Sequence, residues 1–97
     1  MRTLLKVIMD VTAGNEAIKN NRLPEIIKAT IEKIKPEAAF FLAEEGCRTG
    51  YFVFDMKDPA EIPGIAEPFF MELKAKLSFQ PVMNPEDLKK GLAAAIK

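Results

Sequence analysis

The sequence predicts an α+β domain in the order strand, helix, strand, strand, helix, strand, closed by one further helix. Three observations predict it. Short stretches with period-two alternation sit among longer stretches whose apolar residues recur every three or four positions. Proline and glycine fall mostly at the junctions between them. The 97 residues contain no repeat, low-complexity tract or linker, so 1–97 is expected to be a single domain.

The first strand spans about Leu4 to Asp10, with Leu5, Val7 and Met9 on one face and Lys6, Ile8 and Asp10 on the other. Thr12 to Asn21, with Gly14 and Asn20-Asn21, reads as a connection holding one helical turn around Glu16 to Lys19. The main helix then carries Leu23, Ile26, Ile27, Ile31 and Ile34 on one side; Pro24 suits its first turn and Pro36 ends it. Ala38 to Ala43 is apolar on both faces and reads as the second strand, followed by a polar hairpin turn at Glu44-Glu45-Gly46. The third strand, about Thr49 to Met56, places Phe52, Phe54 and Met56 on one face and Tyr51, Val53 and Asp55 on the other.

Asp58-Pro59 has the form of a helix cap, but Pro63-Gly64 and Pro68 predict a short turn and then a helix over about Ala66 to Lys76. Ser78 to Met83 is a short fourth strand that Pro81 confines to an edge or a bulge. Asn84-Pro85-Glu86-Asp87 is a strong helix start, with a capping side chain, proline in the first turn and two carboxylates at the positive end of the dipole. Leu88, Leu92 and Ile96 give that last helix one apolar stripe.

This order is the split βαβ pattern of the ferredoxin-like fold, a four-stranded antiparallel sheet with strands one and three at its centre and helices on one face. The other face would carry Ile8, Tyr51, Val53, Val82 and half of the Ala-Phe-Leu strand, which is apolar enough to want a partner. A chain of this length buries only roughly 60 to 65% of the surface its unfolded form exposes, so association would supplement a thin core.

Composition excludes several classes of function. There is no histidine, so His-ligated haem, His-containing zinc sites and Ser-His or Cys-His nucleophile activation are ruled out for this chain alone. Fourteen basic residues balance fourteen acidic ones, leaving no net field to gather nucleic acid or an anionic membrane. No run approaches the roughly 20 apolar residues of a spanning helix, and the amino terminus shows no signal-peptide core. The single cysteine, Cys47, cannot form an intramolecular disulfide, so a reducing cytoplasm is the expected compartment. No cofactor is implied. Glu44, Glu45 and Asp55 are not spaced as a metal site.

The chain resembles the dimeric α/β barrel superfamily, in which two ferredoxin-like sheets pack face to face. The stretches Gly14-Asn15-Glu16-Ala17-Ile18, Arg48-Thr49-Gly50-Tyr51 and Glu67-Pro68-Phe69-Phe70 are similar to those of uncharacterised small bacterial proteins. The resemblance implies a homodimer formed through the open sheet face, with a ligand held between sheet and helices or at the interface. The superfamily includes muconolactone-isomerase-like enzymes, cofactor-independent monooxygenases and haem-degrading enzymes, the last usually with a histidine ligand that this chain lacks.

The candidate ligand-binding residues are Lys6, Tyr51, Gln80, Asp55 and Arg48, with Asp10 on the same mixed face. A lysine, a phenol and a carboxylate lining an apolar cavity suit an anionic aromatic ligand or proton transfer beside a carbonyl. The same residues suit the polar part of a dimer interface. Arg48 suits a bidentate carboxylate, or pairing with Glu44 or Glu45 across the turn. Cys47 beside it is either a redox-sensitive thiol or inert. Arg48-Thr49-Gly50-Tyr51-Phe52-Val53-Phe54 superficially resembles the aromatic strand of an RNA-binding RRM domain, but Thr49 interrupts its spacing, Phe52 replaces a small residue, and strand one lacks an aromatic. No nucleic acid partner is expected. Two functions therefore stand open: a homodimer binding a small, partly apolar ligand with proton-transfer or oxygenase-like chemistry, or a non-catalytic dimerisation or regulatory module.

Overall fold

A computed structural model describes residues 1–96. Its elements are β1 (Arg2–Ile8), α1 (Val11–Lys19), α2 (Arg22–Ile34), β2 (Ala38–Glu44), β3 (Cys47–Asp55), a 3₁₀ turn (Pro59–Glu61), α3 (Ile62–Leu73), β4 (Lys76–Pro81) and α4 (Pro85–Ala95). The four strands form one sheet in the order β2-β3-β1-β4, and every neighbouring pair is antiparallel. The fold is α+β, with β1 and β3 central as expected, and is compatible with a ferredoxin-like arrangement.

Alternation in the central strands decides which face meets the helices. Thr3, Leu5, Val7 and Met9 of β1 and its extension, with Phe52 and Phe54 of β3, are buried on that face. Ile26 and Ile34 of α2, Ile65, Phe69 and Leu73 of α3, and Ala17 of α1 close over them. Leu5, Val7, Phe52, Phe54, Phe69 and Leu73 are all 1% exposed or less, so the space between sheet and helices is filled by side chains.

The connection predicted at 12–21 is instead the nine-residue helix α1. Asp10 leaves the sheet to cap it, its Oδ2 accepting from the Ala13 N–H at 2.9 Å, which takes Asp10 off the mixed face. Gly14, which argued against a helix, is buried inside it because the Arg48 side chain crosses there; a Cβ would lie 2.9 Å from Arg48 Nη1. Tertiary contact here overrides the local propensity cost of about 1 kcal/mol.

Helix α3 also starts earlier than predicted. Pro63 lies in its first turn, and Asp58 caps the preceding 3₁₀ turn in a capping box with Glu61. Pro68 stands inside α3 without an N–H to offer the Gly64 carbonyl, and Lys33 Nζ of α2 donates to that carbonyl at 3.2 Å. Lys74, at φ 45°, ends the helix, so β4 begins at Lys76 rather than at Ser78. Pro81 does lie on an edge strand. The β2–β3 hairpin turns through Glu45 and Gly46, both at positive φ, the geometry that matches the twist of the flanking strands.

Helix α4 behaves differently from the others. Its capping box joins Asn84 and Asp87, yet none of its residues is buried. The chain extends 55 × 28 × 18 Å with a radius of gyration of 15.4 Å, against about 12.5 Å for a compact chain of this length. Among the described residues no helix is long and apolar enough to cross a membrane.

Candidate functional site on the open sheet face

The sheet face turned away from α1, α2 and α3 is assembled by register. Lys6 stands between Tyr51 of β3 and Ser78 of β4, and Tyr51 stands opposite Phe40 of β2. Leu4 pairs with Val53 and Gln80 one step toward one end, and Ile8 with Thr49 and Lys76 toward the other. Phe40 is 64% exposed and Leu42 40% exposed on this same face. The result is a mixed surface, apolar at Leu4, Ile8, Phe40, Leu42 and Val53 and polar along β4 at Lys76, Ser78 and Gln80, with a polar cluster near its middle.

That cluster is Lys6, Glu44 and Tyr51. The Tyr51 hydroxyl donates to Glu44 Oε1, and Lys6 Nζ lies 2.5 Å from Glu44 Oε2. The Lys6 ammonium is also 5.6 Å from the Tyr51 ring centroid, within cation–π range. Glu44 thus serves two donors with its two oxygens. Lys6 and Glu44 side chains are 30% and 31% exposed, so the cluster is reachable from outside.

The three groups set one another's protonation. The hydrogen bonds from Lys6 and then Tyr51 hold the Glu44 carboxyl below its usual range. The bond to Glu44 and partial desolvation push the Tyr51 phenol up, while the bond to Glu44 raises Lys6. At neutral pH the cluster therefore holds an ammonium, a carboxylate and a neutral phenol. Such an arrangement can present the ammonium to an anionic or carbonyl oxygen, with phenol and carboxylate beside it to pass a proton.

The remaining predicted residues lie elsewhere. Gln80 is on the open face but on the edge strand, level with Leu4 rather than Lys6. Asp55 ends β3, where Oδ2 accepts from Lys57 Nζ and Oδ1 from the amino terminus, both at 2.6 Å; these bonds lower its carboxyl to about 2. Arg48 is on the helix side, where its Nη1 donates to Asn15 Oδ1 at 3.1 Å, and so it pairs with neither Glu44 nor Glu45. Cys47 is a half-buried free thiol beside the hairpin turn.

Glu44 was the residue that sequence reasoning assigned to the turn. The strand β2 runs one residue further than its apolar run, so Glu44 continues the face of Phe40 and Leu42 at period two. Extending that alternation by one step was the signal available.

Comparison of the chain with protein-family models, with curated proteins and with solved structures finds no match.

Proposed function

We propose that the protein is a homodimeric, ferredoxin-like α/β barrel domain in which two open sheet faces meet and enclose a small, partly apolar ligand. The reading is supported above all by the placing of Lys6, Glu44 and Tyr51 together beside Leu4, Ile8, Phe40, Leu42 and Val53 on the open sheet face. A face carrying Leu4, Ile8, Phe40, Leu42 and Val53 gains by leaving water, and the cluster supplies the few convergent polar groups that orient a ligand. The filled helix–sheet core supports the interface rather than the interior as the place for it. Lys6 is the contact for an anionic or carbonyl group, and Tyr51 with Glu44 the pair for proton transfer.

A second reading is a dimerisation or regulatory module without catalysis. It is favoured by the internal pairing itself, since both carboxylate oxygens of Glu44 are already engaged within one subunit. Fluorescence titration with the anionic aromatic dye anilinonaphthalene sulfonate, alongside sedimentation equilibrium, separates the two. Loss of dye binding in Lys6→Ala and Tyr51→Phe with the dimer intact supports the ligand site. Loss of the dimer with no dye bound by the parent protein supports the module. A parent that is monomeric at high micromolar concentration overturns both.

A further inference from the structure

The two edges of the sheet end differently. Hydrogen bonds at either end of the central pair fix the phase of the sheet: the Met9 N–H donates to the Arg48 carbonyl and the Met56 N–H to the Met1 carbonyl, both at 2.9 Å. Even-numbered residues of β3 therefore bond to β1 and odd-numbered ones to β2. Through the pairs Ala38–Val53, Phe40–Tyr51, Leu42–Thr49 and Glu44–Cys47, the even-numbered residues of β2 are turned inward. Ala39, Phe41 and Ala43 send their N–H and C=O groups outward from the edge, where no described residue bonds to them.

On the opposite edge, the Val82 N–H on the Arg2 carbonyl at 3.1 Å sets the phase of β4, so Leu77, Phe79 and Pro81 face outward. Pro81 has no N–H to offer and Lys76 starts the strand, two devices that blunt an edge. Strand β2 has neither, for from Ala38 to Ala43 it carries no charge and no proline. Phe40 and Leu42 are exposed on its open face, and Phe41 is 52% exposed on its helix face. A row of free donors and acceptors with apolar side chains on both faces is a template for another strand.

We propose that β2 pairs antiparallel with β2 of a second copy of this chain, joining two four-stranded sheets into one of eight strands. The strand is its own complement. Centred on Phe41, the pairing sets Phe41 opposite Phe41 and Ala39 opposite Ala43 in both directions; each of these bonded pairs exchanges two hydrogen bonds, so every outward group of the three residues is used. The two-fold axis stands perpendicular to the sheet and keeps all helices on one side. Phe40 then meets Leu42 of the copy on the open face, and the two Phe41 side chains meet on the helix face, so apolar residues stand opposite apolar residues. Glu44 falls opposite Ala38, and Glu37, which approaches Glu45 of the copy, is already paired with Arg2 Nε at 2.7 Å. A second copy thus supplies donors, acceptors and the apolar pattern at once, with no matching strand required from elsewhere. This contact goes beyond the sheet-face dimer and does not depend on it, since it leaves the open face uncovered; the two contacts together build an assembly of four subunits.

The test is sedimentation equilibrium on the full chain together with amide hydrogen exchange read by NMR, with circular dichroism melts to check folding. The Ala39, Phe41 and Ala43 amides are expected to exchange slowly in the associated protein. Ala43→Pro, which removes an outward N–H and no bond to β3, is expected to weaken self-association at least tenfold. Phe41→Lys and Phe41→Glu are each expected to weaken it as much, because like charges then face each other, and mixing these two variants is expected to restore it. An associated protein in which the three amides exchange freely, and whose association all three variants leave unchanged, overturns the edge pairing while leaving the sheet-face dimer standing. Free exchange in the pure protein that turns to protection on adding cell extract assigns the edge to a foreign strand and overturns the pairing as well. A parent protein that is monomeric at high micromolar concentration overturns both contacts.

Discussion

Lys33 donates from α2 to the Gly64 carbonyl that Pro68 leaves without its helical partner in α3. The absence of a Cβ at Gly64 makes room for it, since an added Cβ would lie 2.9 Å from Lys33 Nζ. A residue that ordinarily breaks a helix is thus tolerated through a neighbouring helix. Lys33→Met is expected to lower stability in urea denaturation by about 0.5–1 kcal/mol, the usual net worth of such a bond at an exposed site. Pro68→Ala restores an N–H for the same carbonyl, so the cost of Lys33→Met should shrink in that background. An equal cost in both backgrounds would show that the bond does not offset the proline.

Phe69 is fully buried where α3 meets the central strands. Phe69→Ala should cost about 3–5 kcal/mol, the cavity included, a large part of the about 5–15 kcal/mol that holds a domain together. By contrast, Phe70→Ala removes a side chain that is 43% exposed, and should change the denaturation midpoint little.

The Lys6–Glu44–Tyr51 cluster should make stability pH-dependent at both ends. Glu44 has a folded value below its unfolded one near 4.5, so its contribution is present above that pH and is lost as pH falls through the folded value. Lys6 and Tyr51 have folded values above their unfolded ones of 10.5 and 10.0, so their contributions are present below pH 10 and are lost as pH rises through the folded values. The melting-temperature difference between the parent and Glu44→Gln should therefore be greatest from about pH 6 to 9 and narrow in acid and in strong base. A difference independent of pH would mean that the three groups are not coupled.

Tyr51 is the single tyrosine, and the chain has no tryptophan, so tyrosinate absorbance reports on this one group. Its titration midpoint should lie above the ordinary 10.0 in the parent and fall in Glu44→Gln, where the hydrogen bond that raises it is weakened and Lys6 remains close. A midpoint unmoved by that substitution would remove Glu44 as the phenol's partner.

Much of the fold was legible because its signals are local. Leu5, Val7 and Met9, and Phe52 and Phe54, alternate at the strand period, and that alternation alone separates the buried face from the open one. The caps at Asp58 and Asn84 are likewise written in adjacent residues. Helix α1 was not legible, because Gly14 reads as a breaker until Arg48, 34 positions away, is seen crossing it. The early start of α3 was hidden for the same reason, its two prolines and glycine making sense only beside Lys33.

By itself, then, the sequence determined the strand faces, the absence of imidazole chemistry and the place of Lys6 and Tyr51 on one side of the sheet. Only the tertiary structure decided that Arg48 and Asp55 stand apart from them and that Glu44 joins them. The physical reason is register. Period-two alternation says which face a side chain takes, but which residues become neighbours depends on how strands slide and pair, and those pairings link positions as distant as Lys6 and Tyr51.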